Sequence, residues 1–292
     1  MTRTGPQKFP GASTTYWFED DYPGDLMESN VVCWHSTEGR TLPSYDGGAL
    51  APNFTALPDF TTKRLAWYQH FDFDTSSRAL VNKAGGVQTN TLNVTQVEIV
   101  GTCDPATHAK WVRAGTQHLY TPELPDWAIR DLAAFARWAH DEHGVPLSSG
   151  LEFRAYPGSY GDSSVRMTNS QWNTFSGHCG HQHVPENDHG DPGAFPMVAI
   201  LAAAKNGTTE EDDVTPEDIA KIASASAAAT ATKLIAGGGV LENSDVARIA
   251  DAVAAKPVVL TDAQIKAIAE SPVLAENIAA RVDAKLAARL AN

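Results

Sequence analysis

The sequence predicts an α/β fold, a mixed β-sheet flanked by helices, followed by a small all-helical C-terminal module. Three observations predict it: short apolar or alternating runs in the first hundred residues, one long amphipathic run, and a sharp break in composition after Phe195.

Taken in order, residues 1–30 mix Gly, Pro and aromatics without a period, which predicts an ordered arm with little regular structure. Residues 30–35, running from Asn30 through two valines to His35, are a short apolar run with β-branched content, expected as a buried strand. Residues 65–74 and 95–100 alternate apolar and polar side chains, as half-buried strands do. Between Thr121 and Gly144, Leu124, Trp127, Ala128, Leu132, Phe135 and Trp138 recur mostly at steps of three and four, with Ile129 at the edge of the stripe. Pro122 inside the start and Gly144 at the end bracket this segment as a helix. Residues 145–195, rich in Gly, Ser, Asn and His, read as loops, with a short helix after Pro196.

All 24 aromatic residues, all 10 histidines and all 3 cysteines lie at or before Phe195, whereas 23 of the 85 residues from Thr208 onward are alanine. The division predicts a first domain over 1–205, an acidic linker over 206–214 and an Ala-rich helical module over 215–292, the first domain holding every histidine and cysteine, residue types suited to catalysis. Thr215, Pro216, Glu217 and Asp218 form a helix start: a hydroxyl cap, a proline at the first turn, and carboxylates at the positive dipole end. Alanine buries little apolar area, so this module has a thin core and is expected to self-associate or to dock on a partner.

A net charge of −13 excludes the basic face that nucleic-acid binding requires. No run of 18 apolar residues suggests a membrane span, and the start lacks the apolar stretch of a secretory signal. Three cysteines, Cys33, Cys103 and Cys179, are too few for a disulfide scaffold.

The chemistry concentrates in residues 176–193, which hold His178, Cys179, His181, His183, His189 and Asp191. Imidazole and carboxylate are the donors that suit a catalytic zinc with an open position. Solvated loop histidines would give the same count, so the cluster alone leaves the ligand set open.

Three segments together carry a resemblance: the strand ending at His35 and followed by Ser36, Thr37, Glu38 and Gly39; the strand containing Gln96, Val97 and Glu98; and His181 followed ten residues later by Asp191-Pro192-Gly193. In this order and spacing they resemble the zinc-dependent N-acetylmuramoyl-L-alanine amidases, the family of phage lysins, wall-recycling amidases and peptidoglycan-recognition proteins. The resemblance spans about residues 28–200 and is nearest to lysins of phages that infect actinobacteria. It implies the peptidoglycan-recognition (amidase type 2) fold, a Zn²⁺ cofactor and bacterial peptidoglycan as partner. The bond cut would be the amide between muramic acid and L-alanine. His35, His181 and Asp191 would be the zinc ligands, and Glu98 the general base beside the attacking water. His189 stands where the family commonly has a lysine that steadies the oxyanion. A histidine titrates near pH 6.5 rather than 10, which predicts an activity limb at mildly alkaline pH.

The same resemblance leaves His70 outside the metal's first shell, as a structural or substrate-lining residue. Glu38 and Arg40 are candidates for substrate contact, though solvated loop charges are commoner. Some relatives carry a tyrosine where Gln69 stands, and Tyr68, one residue earlier, is expected to face the other way. His183 is expected to point away from the metal, His178 and Cys179 are the weaker alternatives to His181, and Cys33 reads as a small buried hydrophobe. The rival functions are a peptidoglycan-binding protein without activity and a stem-peptide endopeptidase on the same scaffold. The lysin reading implies accumulation in the host cytoplasm and release to the wall through a separate membrane pore.

Overall fold

The computed structural model describes residues 5–206. The helical module expected over 215–292, and all of the expected linker beyond Asn206, lie outside the described residues.

Five strands form one mixed sheet: β1 (Val31–Ser36), β2 (Phe54–Asp59), β3 (Arg64–Gln69), β4 (Val94–Ile99) and β5 (Gly177–Gly180). Their order is β3-β2-β4-β1-β5, with β3 antiparallel to β2 and all other neighbours parallel. Four helices accompany them: α1 (Pro105–Arg113), α2 (Asp126–His143), α3 (Asn169–Trp172) and α4 (Met197–Asn206). Among the described residues no helix is long and apolar enough to cross a membrane.

β1 alternates between two environments, and this alternation positions the site. Val32 and Trp34 face a core shared with Phe54 and Ala56 of β2, Val97 and Ile99 of β4, and Leu132 and Phe135 of α2. α2 presents Ala128, Ala133, Ala136 and Ala139 to that core, so its backbone lies close to the sheet. Gly144 ends it in the left-handed conformation (φ 72°), donating its N–H to the carbonyl of His140. Asp131, buried on α2, ties the helix to β3 by accepting the Leu65 N–H at 2.7 Å and Arg64 Nε at 3.1 Å.

The opposite face begins apolar, with Val31 and Cys33 of β1 packed on Val94, Cys179 and Trp172. Two residues further along the same face stand His35 of β1 and, directly opposite, Glu98 of β4. The face therefore changes from hydrocarbon to ionisable groups at the carboxyl ends of the parallel strands, where open α/β sheets receive ligands.

Several elements depart from the expectations above. The run 65–74 is a strand only as far as Gln69. The helix expected from Thr121 is a 3-10 turn over Thr121–Glu123, and α2 starts afresh after Pro125, whose missing N–H is tolerated only at a helix start. β2, β5, α1 and α3 are additional. Residues 5–30 do form an arm, joined to the sheet by isolated bridges such as Ser13 with Tyr68 and by hydrogen bonds such as the Phe9 N–H to Gln69 Oε1.

Candidate metal centre

His35 is the penultimate residue of β1, His181 opens the turn that follows β5, and Asp191 closes the loop after it. β1 and β5 pair in parallel, so the two histidines leave the sheet side by side. All three side chains are buried, and they are the group among the described residues that could hold a metal ion.

The donor atoms converge. His35 Nδ1 lies 3.0 Å from His181 Nδ1, His181 Nδ1 lies 3.3 Å from Asp191 Oδ1, and His35 Nδ1 lies 3.6 Å from Asp191 Oδ2. Nitrogen and oxygen ligands at zinc-like bond lengths around a tetrahedral centre stand about 3.3 Å apart. Three separations that bracket this value fit a small ion. The surroundings also fix the chemistry of each donor. His181 Nε2 meets Asn187 Oδ1 at 3.2 Å, which places the ring proton on Nε2 and leaves the Nδ1 lone pair facing inward. Asn187 is itself aligned by donating Nδ2 to the Pro185 carbonyl at 3.0 Å. Asp191 Oδ2 accepts the Ser36 N–H at 3.1 Å.

Electrostatics agree with the donor roles. Burial, then the adjacent His181, brings His35 down to about 3, so the ring is neutral. Burial would raise the Asp191 carboxyl, but His181, His35 and the Ser36 N–H outweigh it and hold the group well below the ordinary carboxylate range. Glu98 behaves oppositely: burial first, then the carboxylates of Asp191 and Glu38, push it well above its ordinary value. Its Oε2 is buried without a hydrogen-bond partner, as is His35 Nε2.

His189 stacks on His181, with ring centroids 4.6 Å apart and planes at 3°, and its Nδ1 lies 3.8 Å from Asp191 Oδ1. Its side chain is 69% exposed against 9% for Asp191, so it stands at the rim of the group rather than within it. Partial burial and His181 hold its ring below the ordinary imidazole value, so it is an uncharged N–H donor at neutral pH. The alkaline limb expected of a protonated histidine therefore has no support in its surroundings.

Other candidates are taken up inside the protein. Glu38, in the left-handed conformation at φ 52°, accepts bonds from Ser36 Oγ at 2.7 Å, from the Cys103 N–H at 2.9 Å and from Thr102 Oγ1. Its carboxylate braces the end of β1 against the loop after β4. His183 accepts the Gly180 N–H on Nδ1 and meets the Glu152 carbonyl through Nε2, both at 2.9 Å. His178 faces the core and accepts Trp34 Nε1–H at 3.2 Å. Cys33 and Cys179 pair across β1 and β5, buried and free. Arg40 lies over the Trp111 ring at 5.6 Å.

The strand register revises the expectation for Tyr68 and Gln69. Gln69 lies on the core face, paired with Phe54, and its amide bonds the backbone of Gln7, Phe9 and Phe71. Tyr68 lies opposite Thr55, which lies opposite Glu98, so it shares the face of the site but stands three strands from His35.

Sequence reasoning passed over a directed chain beside Glu98. His70 Nδ1 meets the Tyr16 carbonyl at 2.7 Å and so carries the proton; its Nε2 then accepts from Thr55 Oγ1 at 2.9 Å, and Thr55 accepts from the Tyr45 hydroxyl at 2.7 Å. Both ring nitrogens of His70 are thus engaged. Burial, then the nearby Glu98, raises the Tyr45 hydroxyl far above its ordinary value, which keeps it a donor.

No protein-family model and no curated protein matches the chain. Among solved structures, a mutant endolysin from Bacillus subtilis is similar over 50% of this chain and 79% of its own, at 15% identity and a TM-score of 0.28, too low a score to support an argument.

Proposed function

We propose that the chain is a zinc-dependent N-acetylmuramoyl-L-alanine amidase of the phage-endolysin type, which hydrolyses the amide joining muramic acid to the first L-alanine of the peptidoglycan stem. The observation that carries the reading is the convergence of His35, His181 and Asp191 donors at 3.0–3.6 Å, with Glu98 opposite His35 on the same sheet face.

His35, His181 and Asp191 would hold the zinc. When bound, the ion supplies a Lewis acid that polarises the scissile carbonyl and acidifies water. Glu98 takes a proton from the attacking water and delivers it to the leaving nitrogen. A carboxylate whose pKa is raised by burial is a stronger base than an ordinary one, which suits it to take the water's proton, and once protonated it is a neutral acid that can deliver that proton to the leaving nitrogen. His189, uncharged at the rim, donates its N–H to the oxygen that gains charge. Glu38 and the Ser36 N–H hold the end of β1 and the Asp191 carboxylate in register.

In this reading the protein accumulates in the host cytoplasm, reaches the wall through a separate pore, and uses residues 215–292 for wall binding or self-association. The test is an end-group assay on purified peptidoglycan. A free L-alanine amine that appears with zinc and not with chelator supports amidase action. New amines on any other stem residue would instead indicate an endopeptidase, and wall binding without new amines a recognition protein.

A further inference from the structure

His181 and Asp191 stand at the two ends of one irregular loop, so the loop's shape sets the 3.3 Å between their donor atoms. The neck of the loop is closed by Gln182, whose N–H donates to the Asp191 carbonyl at 3.0 Å and whose Nε2 donates to the Gly193 carbonyl at 2.7 Å. What shapes the interior is one side chain from outside the loop. Arg166 Nη1 donates to the carbonyls of Val184 at 2.7 Å and His181 at 3.4 Å. Its Nη2 donates to those of His189 at 3.1 Å and Gly161 at 2.9 Å, and its Nε to Gly161 again at 3.1 Å. A guanidinium has five N–H donors. All of them are used here, and all on backbone oxygens.

The Gly161 bonds extend the grip. Gly161 donates its own N–H to the Asp188 carbonyl at 2.8 Å, and Ser159 Oγ donates to the Gly190 carbonyl at 2.6 Å. A Cβ at Gly190 would come within 2.6 Å of Ser159 Oγ and 2.8 Å of the Tyr160 nitrogen, so the two segments are in close contact just before Asp191. The inner side of the loop is therefore organised around a fixed positive group supplied by the chain itself.

We infer that Arg166 is a positioning residue for the metal centre: it shapes the 181–191 loop so that His181 and Asp191 meet before any ion binds. The inference rests on reading His35, His181 and Asp191 as a metal site. Lysine cannot replace the arginine, because an ammonium offers three donors from a single point and cannot span carbonyls on opposite sides of the loop.

The experiment measures zinc affinity of the full chain by competition with a chromophoric chelator, for wild type, Arg166→Lys and Arg166→Gln, with circular dichroism to verify folding. Loss of support around a metal ligand weakens affinity by about 10–100-fold, and that loss is expected for both variants. Turnover should recover as zinc is raised. Wild-type affinity in a folded Arg166→Lys overturns the inference and leaves the metal reading standing. A wild type that takes up no zinc overturns both. Hydrogen exchange on wild type needs no substitution and decides the matter if the variants fail to fold. The amides of Gln182, Val184 and Gly193 should stay protected in chelator, whereas protection that collapses when zinc is removed overturns the inference.

Discussion

Among the described residues, two buried groups combine histidine with aspartate, and their wiring differs. At the end of α2, His143 Nε2 meets the Pro6 carbonyl at 3.0 Å and Nδ1 lies 3.4 Å from Asp74 Oδ2. Asp74 in turn accepts the Ser29 N–H at 2.9 Å and Gln7 Nε2 at 2.8 Å, and the imidazole stacks on Phe73 at 3.9 Å. The Asp74 carboxylate there is met by two donors, and although His143 Nδ1 has no hydrogen-bond partner of its own, the group pins the N-terminal arm to the sheet. At the other group, two ring nitrogens and a carboxylate point at one another across 3.0–3.6 Å, and His35 Nε2 is buried without a partner. Burial and residue type are the same in both. What separates a site from a clasp is that ligand atoms of three residues converge at the first and of two at the second, and three converging lone pairs in a closed space are favourable only when a cation is among them.

The largest expected effect breaks the site alone. His35→Ala should lower amide hydrolysis by on the order of 10³-fold or more, since the Lewis acid accounts for several kcal/mol of barrier. Its melting temperature in chelator should match wild type or exceed it. Glu98→Gln should lower turnover by about 10²–10⁴-fold while zinc still binds, as read by kcat and by metal content in parallel. A Glu98→Gln enzyme of undiminished turnover would remove Glu98 from the mechanism.

The clasp should respond in the opposite way. Asp74→Ala removes one partner of a buried pair and should cost about 3 kcal/mol, or roughly 6–12 °C in melting temperature, with zinc affinity unchanged. Burial alone would raise the Asp74 carboxyl, but bonds from His143, Gln7 and Ser29 outweigh it and hold the group below its ordinary value. A depressed folded value means that this stability is present above the unfolded pKa near 4 and is lost as pH falls through the folded one. Asp74→Asn should therefore flatten the acid limb of the thermal midpoint below about pH 4.

The smallest effect concerns His178, which lies on β5 three residues before a ligand yet faces the core. Burial, then His140, brings it down to about 3. The unfolded chain binds a proton near pH 6.5 that the folded chain refuses. The folded state thus keeps its full stability above pH 6.5 and loses about 1.4 kcal/mol per pH unit below it. His178→Asn, whose amide oxygen can accept the Trp34 bond, should remove that slope in zinc and in chelator alike. A slope present only with zinc would tie His178 to the site and blur the comparison.

How far the sequence reveals this molecule depends on whether a signal is local. β1 is legible as a short β-branched apolar run buried throughout, β4 by its alternation, and α2 by an apolar stripe at steps of three and four that it buries. β2 is hidden by Pro58, which is accommodated because β2 pairs with β4 only at residues 54–56 and the proline lies beyond that pairing. α1 buries none of its residues and so leaves no apolar period, although Asp104 capping a helix with Pro105 in its first turn was a readable start. β5 is four residues long with glycine at both ends. For the site, the resemblance names His35, His181 and Asp191, and the fold brings those three together. It does not name Asn187, the Ser36 N–H, Arg166 or the chain from Tyr45 through Thr55 to His70. Their roles arise from contacts across the tertiary structure and from backbone groups, which carry no pattern in sequence.

The central claim is that the His35 group is a metal site and the His143 group is not. The most direct measurement is the zinc content of chelator-stripped, zinc-reloaded and desalted protein. The account predicts about one zinc per chain in wild type and in His143→Gln, and none in His35→Ala or Asp191→Ala. Equal zinc in wild type and Asp191→Ala, or none in any of the four, would contradict it.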